Sequence, residues 1–159
     1  MAIKNDLIDN PVKHTVSITR IFDAPRNLVF SMWTNPEYLA KWWGPKDFTN
    51  PVCEMDVQKG GAIKIVMQAP DGSKIPVTGV FQEILEPERI VFTTTKIDAN
   101  GNAELEVLNT VTLTEENGKT TLVMKAVVVK STPEAVASLL GMETGWNQSL
   151  DRLAENLPN

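Results

Sequence analysis

From His14 to Phe22 the chain alternates, with Val16, Ile18, Arg20 and Phe22 on one face and Thr15, Ser17 and Thr19 on the other. A period of two predicts a β-strand. Asp23-Ala24-Pro25 then signals a helix start, because a proline near the first helical position gives up no needed hydrogen bond. Leu28, Val29, Met32 and Trp33 follow at helical spacing. Thr34-Asn35-Pro36-Glu37 repeats the signal, so a second short helix carries Tyr38, Leu39 and Trp42. It ends by Gly44-Pro45, since proline disfavours helical geometry in the residue before it.

From Pro51 to Lys130 the pattern is strand after strand. Val52, Glu54 and Asp56 alternate with Cys53, Met55 and Val57, and Lys59-Gly60-Gly61 turns into Ile63, Ile65 and Met67. Asp71-Gly72 and Asn117-Gly118 are two-residue hairpin signals, with glycine supplying positive φ. Val77–Leu85 and Ile90–Lys96 are joined by Glu86-Pro87-Glu88, and Asn100-Gly101 marks the next turn. Leu105, Val107, Val111 and Leu113, then Leu122, Met124, Ala126 and Val128, complete the series. About six strands at this spacing, seven with the first, predict an antiparallel meander rather than βαβ units.

After Thr132-Pro133-Glu134 the period changes. The threonine hydroxyl is placed to cap a helix and the glutamate to sit at its positive end. Val136, Leu139, Leu140, Trp146, Leu150, Leu153 and Leu157 form one stripe on a helix of roughly 24 residues. Gly141 and Gly145 interrupt it, which predicts a kink or a close approach there. A sheet with one apolar face and a helix with one apolar stripe bury each other best when the helix lies across a curved sheet. The fold class is α+β, one domain over residues 14–159 behind a loose tail, residues 1–13. A helix does not fill such a concavity, so a cavity between the two is expected.

Composition narrows the function. The 159 residues carry 15 Lys+Arg against 20 Asp+Glu, a net charge of −5, which disfavours binding to nucleic-acid phosphates. One cysteine, Cys53, excludes an internal disulfide, and one histidine, His14, excludes a multi-histidine metal centre. No metal or cofactor is expected. No segment approaches the roughly 20 apolar residues of a membrane span, and Lys4, Asp6, Asp9 and Pro11 break any secretory signal. A cytoplasmic setting is the expectation.

Several segments together resemble a known family: Ile18-Thr19-Arg20-Ile21-Phe22-Asp23-Ala24-Pro25, Leu28-Val29-Phe30, Trp33-Thr34-Asn35-Pro36-Glu37 and Lys41-Trp42-Trp43-Gly44-Pro45. Glu54-Met55-Asp56-Val57, Gly79-Val80-Phe81, Pro87-Glu88-Arg89-Ile90-Val91-Phe92 and Gly145-Trp146 continue it in order. They are similar to the activator of Hsp90 ATPase homologue 1-like family, within the START/Bet v 1-like superfamily. The resemblance implies the helix-grip fold, and an apolar small molecule held between helix and sheet in many superfamily members. The co-chaperone that names the family has an additional N-terminal domain contacting the chaperone. One domain fills this chain, so a chaperone partner is not expected.

Candidate site residues follow from the architecture. Trp33, Trp43 and Trp146 read as cavity walls or as core, and Phe48, Met67, Phe81, Phe92, Met124, Leu140 and Met142 are the other large apolar candidates. Arg20, Thr94 and Asn109 interrupt apolar strand faces. Each therefore needs an internal partner, water or a ligand. Arg20 reads as a carboxylate anchor or one half of an internal salt bridge. Glu83, on the Phe81 face by alternation, is a weak candidate general base, whereas Cys53 lacks a nearby histidine. The leading expectation is a non-catalytic domain binding a hydrophobic or amphipathic small molecule. A protein-interaction module, or a cyclase- or hydrolase-like enzyme using the same cavity, are the alternatives. A homodimer through a sheet edge or the Trp-rich segment is also open.

Overall fold

The computed structural model of the chain describes residues 14–158. The expected tail, residues 1–13, lies outside the described residues, as do the side chains of Glu134, Val136 and Ala137. The elements run β1 (Thr15–Phe22), α1 (Arg26–Thr34), α2 (Pro36–Trp42), β2 (Thr49–Met55), β3 (Ala62–Gln68), β4 (Lys74–Leu85), β5 (Arg89–Ile97), β6 (Ala103–Glu116), β7 (Lys119–Ser131) and α3 (Val136–Glu155). All seven strands join one antiparallel sheet in the order β1-β7-β6-β5-β4-β3-β2. The first strand thus pairs with the last, while the second strand forms the opposite edge. The α1–α2 segment has to cross from one edge to the other, and this brings its tryptophans over the sheet.

Alternation sets the inner face. Val107, Asn109, Val111 and Leu113 of β6 stand opposite Val128, Ala126, Met124 and Leu122 of β7, and all are buried. Ile63 and Ile65 of β3, Val77 and Phe81 of β4 and Ile90 and Phe92 of β5 extend the same face. Register shifts in four of the strand pairs mark bulges or irregularities, which bend and twist a sheet.

Local signals account for the helix ends. Asn35 caps α2, its Oδ1 accepting from the Glu37 N–H at 2.9 Å, with Pro36 at the first position. The chain leaves α2 through Trp43 into Gly44, which adopts φ +97°.

The start of α3 differs from expectation. Thr132 does not cap it, because its N–H and hydroxyl both donate to the Glu104 carbonyl on β6. A short 3₁₀ turn, Pro133–Ala135, intervenes, and the helix runs 20 residues rather than 24. Gly141 and Gly145 do not break it, and a Cβ built on either meets nothing within 4 Å, so neither marks a close approach. Of the predicted stripe, Leu139, Leu150 and Leu153 are buried, whereas Leu140 is 47% exposed. Adjacent helical residues point about 100° apart, so Leu139 and Leu140 cannot both face the sheet.

Candidate functional site

A cavity of about 300 Å³, open to solvent on one side, lies between the first two thirds of α3 and strands β3 to β6. Met67, Ile75, Val77, Leu105 and Val107 form its floor. Gly141, Met142, Gly145 and Trp146 form its roof, and Trp43, Gly44, Pro45 and Phe48 close one end. The polar atoms come from Thr94 and Lys96 on β5 and from Ser138 and Ser149 on α3. Both glycines border this space, and a Cβ at either meets nothing within 4 Å.

The Trp43–Phe48 loop is tied to α3. The Arg152 guanidinium donates to five carbonyls, those of Lys41, Trp43, Gly44, Pro45 and Phe48, at 2.9–3.1 Å. Ser149 Oγ donates to the Gly44 carbonyl at 2.9 Å, and the Lys46 N–H donates to Gln148 Oε1. Asn50 Nδ2 adds bonds to the carbonyls of Ala40 and Trp43. Carbonyls left without partners at the end of α2 are satisfied this way. Burial lowers the Arg152 pKa from its ordinary value, and the nearby carboxylates of Asp47 and Glu155 oppose that shift.

Six of the expected site residues meet at the cavity: Trp43, Phe48, Met67, Thr94, Met142 and Trp146. The Trp43 and Trp146 rings meet edge to face with centroids 5.2 Å apart. The remaining candidates lie elsewhere. Trp33, Phe81 and Phe92 surround a separate void of about 10 Å³, no larger than one water, with Trp43 on its border. Trp33 also packs on Trp42 at 4.6 Å, so both serve the core. Met124 is buried between Ile18 and Val111 in register, where the layers pack solidly. Leu140 is turned to solvent.

Arg20 is not a ligand anchor at this cavity. Its Nη1 donates to Asp151 Oδ1 at 2.7 Å and its Nη2 to Asn147, so β1 and α3 hold each other through an ion pair. Asn109 is fully buried behind Thr94, and its Nδ2 donates to Thr94 Oγ1 at 3.1 Å.

Glu83 leaves the Phe81 face because the β4–β5 register slips between the two residues. Phe81 pairs with Phe92, but Glu83 pairs with Val91 and Ile84 with Ile90. One extra residue reverses which side chains face inward, so Ile84 takes the inner position. Glu83 instead lies 3.5 Å from Arg89 Nε, outside the cavity. Burial pushes the Cys53 thiol up to about 11, which disfavours a nucleophilic thiolate. Among the described residues no group of three or more His, Cys, Asp or Glu gathers as for a metal, and no helix is long and apolar enough to cross a membrane.

Sequence reasoning missed Lys96, Ser138 and Ser149. Lys96 was readable, since it continues the inward alternation Phe92, Thr94. The serines carry no such signal, because serine on a helix is ordinarily a surface residue.

The comparisons with known proteins agree with this geometry. The sequence profile of the activator of Hsp90 ATPase homolog 1-like proteins matches residues 23–158. The chain belongs to that family. Solved structures similar to it include a Nitrosomonas europaea protein, 28% identical, covering 91% of this chain and 94% of its own, with TM-score 0.76. A Chromobacterium violaceum protein is 29% identical over 92% of this chain and 99% of its own, TM-score 0.75. An Arthrobacter aurescens protein is 25% identical over 90% and 85%, TM-score 0.79. No curated protein matches the chain. The matches extend the family assignment to the helix-grip architecture as a whole.

Proposed function

We propose that this member of the activator of Hsp90 ATPase homologue 1-like family is a small-molecule carrier, taking a hydrophobic or amphipathic ligand between α3 and the sheet. The observation that supports it is the cavity of about 300 Å³ lined by Trp43, Phe48, Met67, Met142 and Trp146. That volume is at the lower end for small-molecule sites, and an apolar wall with few polar groups is their usual chemistry. The two glycines on the roof support the same reading, since each costs about 1 kcal/mol relative to alanine in a helix interior. The single catalytic candidate, Glu83, lies outside this space.

Native mass spectrometry of the purified chain with a panel of apolar and amphipathic small molecules tests the reading. One-to-one adducts that disappear in Gly145→Leu, a variant that fills the roof, are expected. Absence of any adduct, or adducts indifferent to that substitution, overturns the carrier role.

A further inference from the structure

The polar groups of the cavity have their hydrogen-bonding capacity committed unevenly, and what remains points one way. Ser149 uses its proton on a carbonyl, that of Gly44 at 2.9 Å or of Gly145 at 3.0 Å. Ser138 Oγ accepts from Lys96 Nζ at 2.8 Å, and among the described residues its own O–H proton has no acceptor. Thr94 Oγ1 accepts from Asn109 Nδ2, which leaves the Thr94 proton available in the same way. The Lys96 ammonium has three protons and gives one to Ser138. Glu104 Oε1 lies 3.9 Å from Nζ, within Coulombic range but beyond hydrogen-bond reach. The polar end of the cavity therefore presents donors.

Charge points the same way. Among the described residues lining the cavity Lys96 is the one titratable side chain, and Glu104 stands behind it rather than on the wall. Ser138 sits in the first turn of α3, where the helix dipole is positive. A neutral apolar ligand would bury the ammonium without a full partner, which is unfavourable. An anionic head group would complete it with a charge-assisted hydrogen bond.

Resting on the carrier reading above, we propose that the ligand is an amphipathic anion. Its carboxylate-type head group sits on Lys96 and Ser138, and its apolar body lies against Trp43, Met67 and Trp146. Thr94, two residues along β5 from Lys96, donates to a second acceptor on the ligand about 7 Å from the first.

The test titrates the protein with decanoate, 1-decanol and decyltrimethylammonium, each in monomeric form, and follows tryptophan fluorescence. In the wild type, decanoate binds about tenfold or more tightly than decanol, and the cation binds weakest. Lys96→Gln brings the decanoate-to-decanol ratio to about one. Glu104→Gln raises that ratio, because it removes the carboxylate that competes for Lys96. A merely structural Lys96 would lower both affinities together and leave the ratio unchanged, which overturns the proposal. Equal wild-type binding of decanoate and decanol also overturns it while leaving the carrier reading intact. Binding of none of the three overturns both.

Discussion

Arg152 Nη1 donates to the carbonyl of Gly44 at 3.0 Å, across 108 residues of sequence, and Gly44 offers that carbonyl from a backbone at φ +97°. The cation on α3 and the left-handed residue after α2 together fix the closed end of the cavity. Arg152→Met removes all five donated bonds and leaves several carbonyls poorly satisfied. A loss of about 2–4 kcal/mol in urea unfolding is expected, since bonds to charged groups contribute roughly 1.5–3 kcal/mol each but are not additive. Arg152→Lys, with three donors in place of a planar fork, falls between the two.

The neighbouring tryptophans differ in one atom's surroundings. Trp42 Nε1 donates to the Met32 carbonyl at 2.8 Å, whereas the buried Trp33 Nε1 has no partner among the described residues. Trp42→Phe breaks a bond and orphans a carbonyl; Trp33→Phe removes an unsatisfied donor. The first should therefore destabilise by about 1–2 kcal/mol more than the second, measured by paired denaturant midpoints. Equal losses would mean that the Trp33 N–H is satisfied in solution.

Gly141 faces open space, and alanine there regains helix propensity. Gly141→Ala raises stability by up to about 1 kcal/mol in thermal or chemical unfolding. Its methyl also takes volume from the cavity roof, so ligand affinity falls as stability rises. Opposite signs for the two readouts are the expected outcome, and a loss of both would show a hidden steric conflict.

Burial disfavours the thiolate and pushes the Cys53 thiol above its ordinary range, up to about 11. At pH 8 the folded protein then carries about a hundredfold less thiolate than an unfolded chain. Iodoacetamide should accordingly react far more slowly with native than with urea-unfolded protein. The linkage has a definite sign. Folding favours the neutral thiol, so its contribution to stability is complete below pH 9 and declines as pH rises through about 11.

Arg20 and Asp151 provide a bounded electrostatic test. Asp151 is largely exposed, so a double-mutant cycle of Arg20→Ala and Asp151→Ala should give a coupling of about 0.5–1 kcal/mol. Added salt should shrink it.

Much of the fold was legible because alternation and helical spacing are local. The resemblance in sequence segments also pointed to the family that the profile confirms. The site was most legible where a residue lay on an element whose facing could be counted, as with Thr94, Met67 and Trp146, and at the Trp-rich end of α2, where Trp43 and Phe48 close the cavity. Glu83 was misplaced because a bulge adds one residue without a compositional mark. For Arg20 the sequence left a ligand anchor and an internal salt bridge both open, because its partner Asp151 lies 131 residues away, on a helix whose rotation the sequence does not set. Leu140 failed for the same reason, since a two-leucine step at 139–140 does not say which one faces inward. Arg152 was silent because its partners are all backbone carbonyls, which every sequence supplies.

α3 meets the protein firmly at two places, Leu139 near its start and Leu150 with Leu153 near its end. Between these anchors Met142 and Trp146 pack against the core while also lining the cavity, and Trp146 stacks on Trp33 with ring centroids 6.1 Å apart, whereas a Cβ at Gly141 or Gly145 meets nothing within 4 Å. Exchange at Gly141 or Gly145 would therefore reshape the cavity while the buried leucines and Trp146 preserve the architecture. On the carrier reading, selectivity would sit at the glycine positions of the helix and foldability at its buried leucines, so one could change without the other.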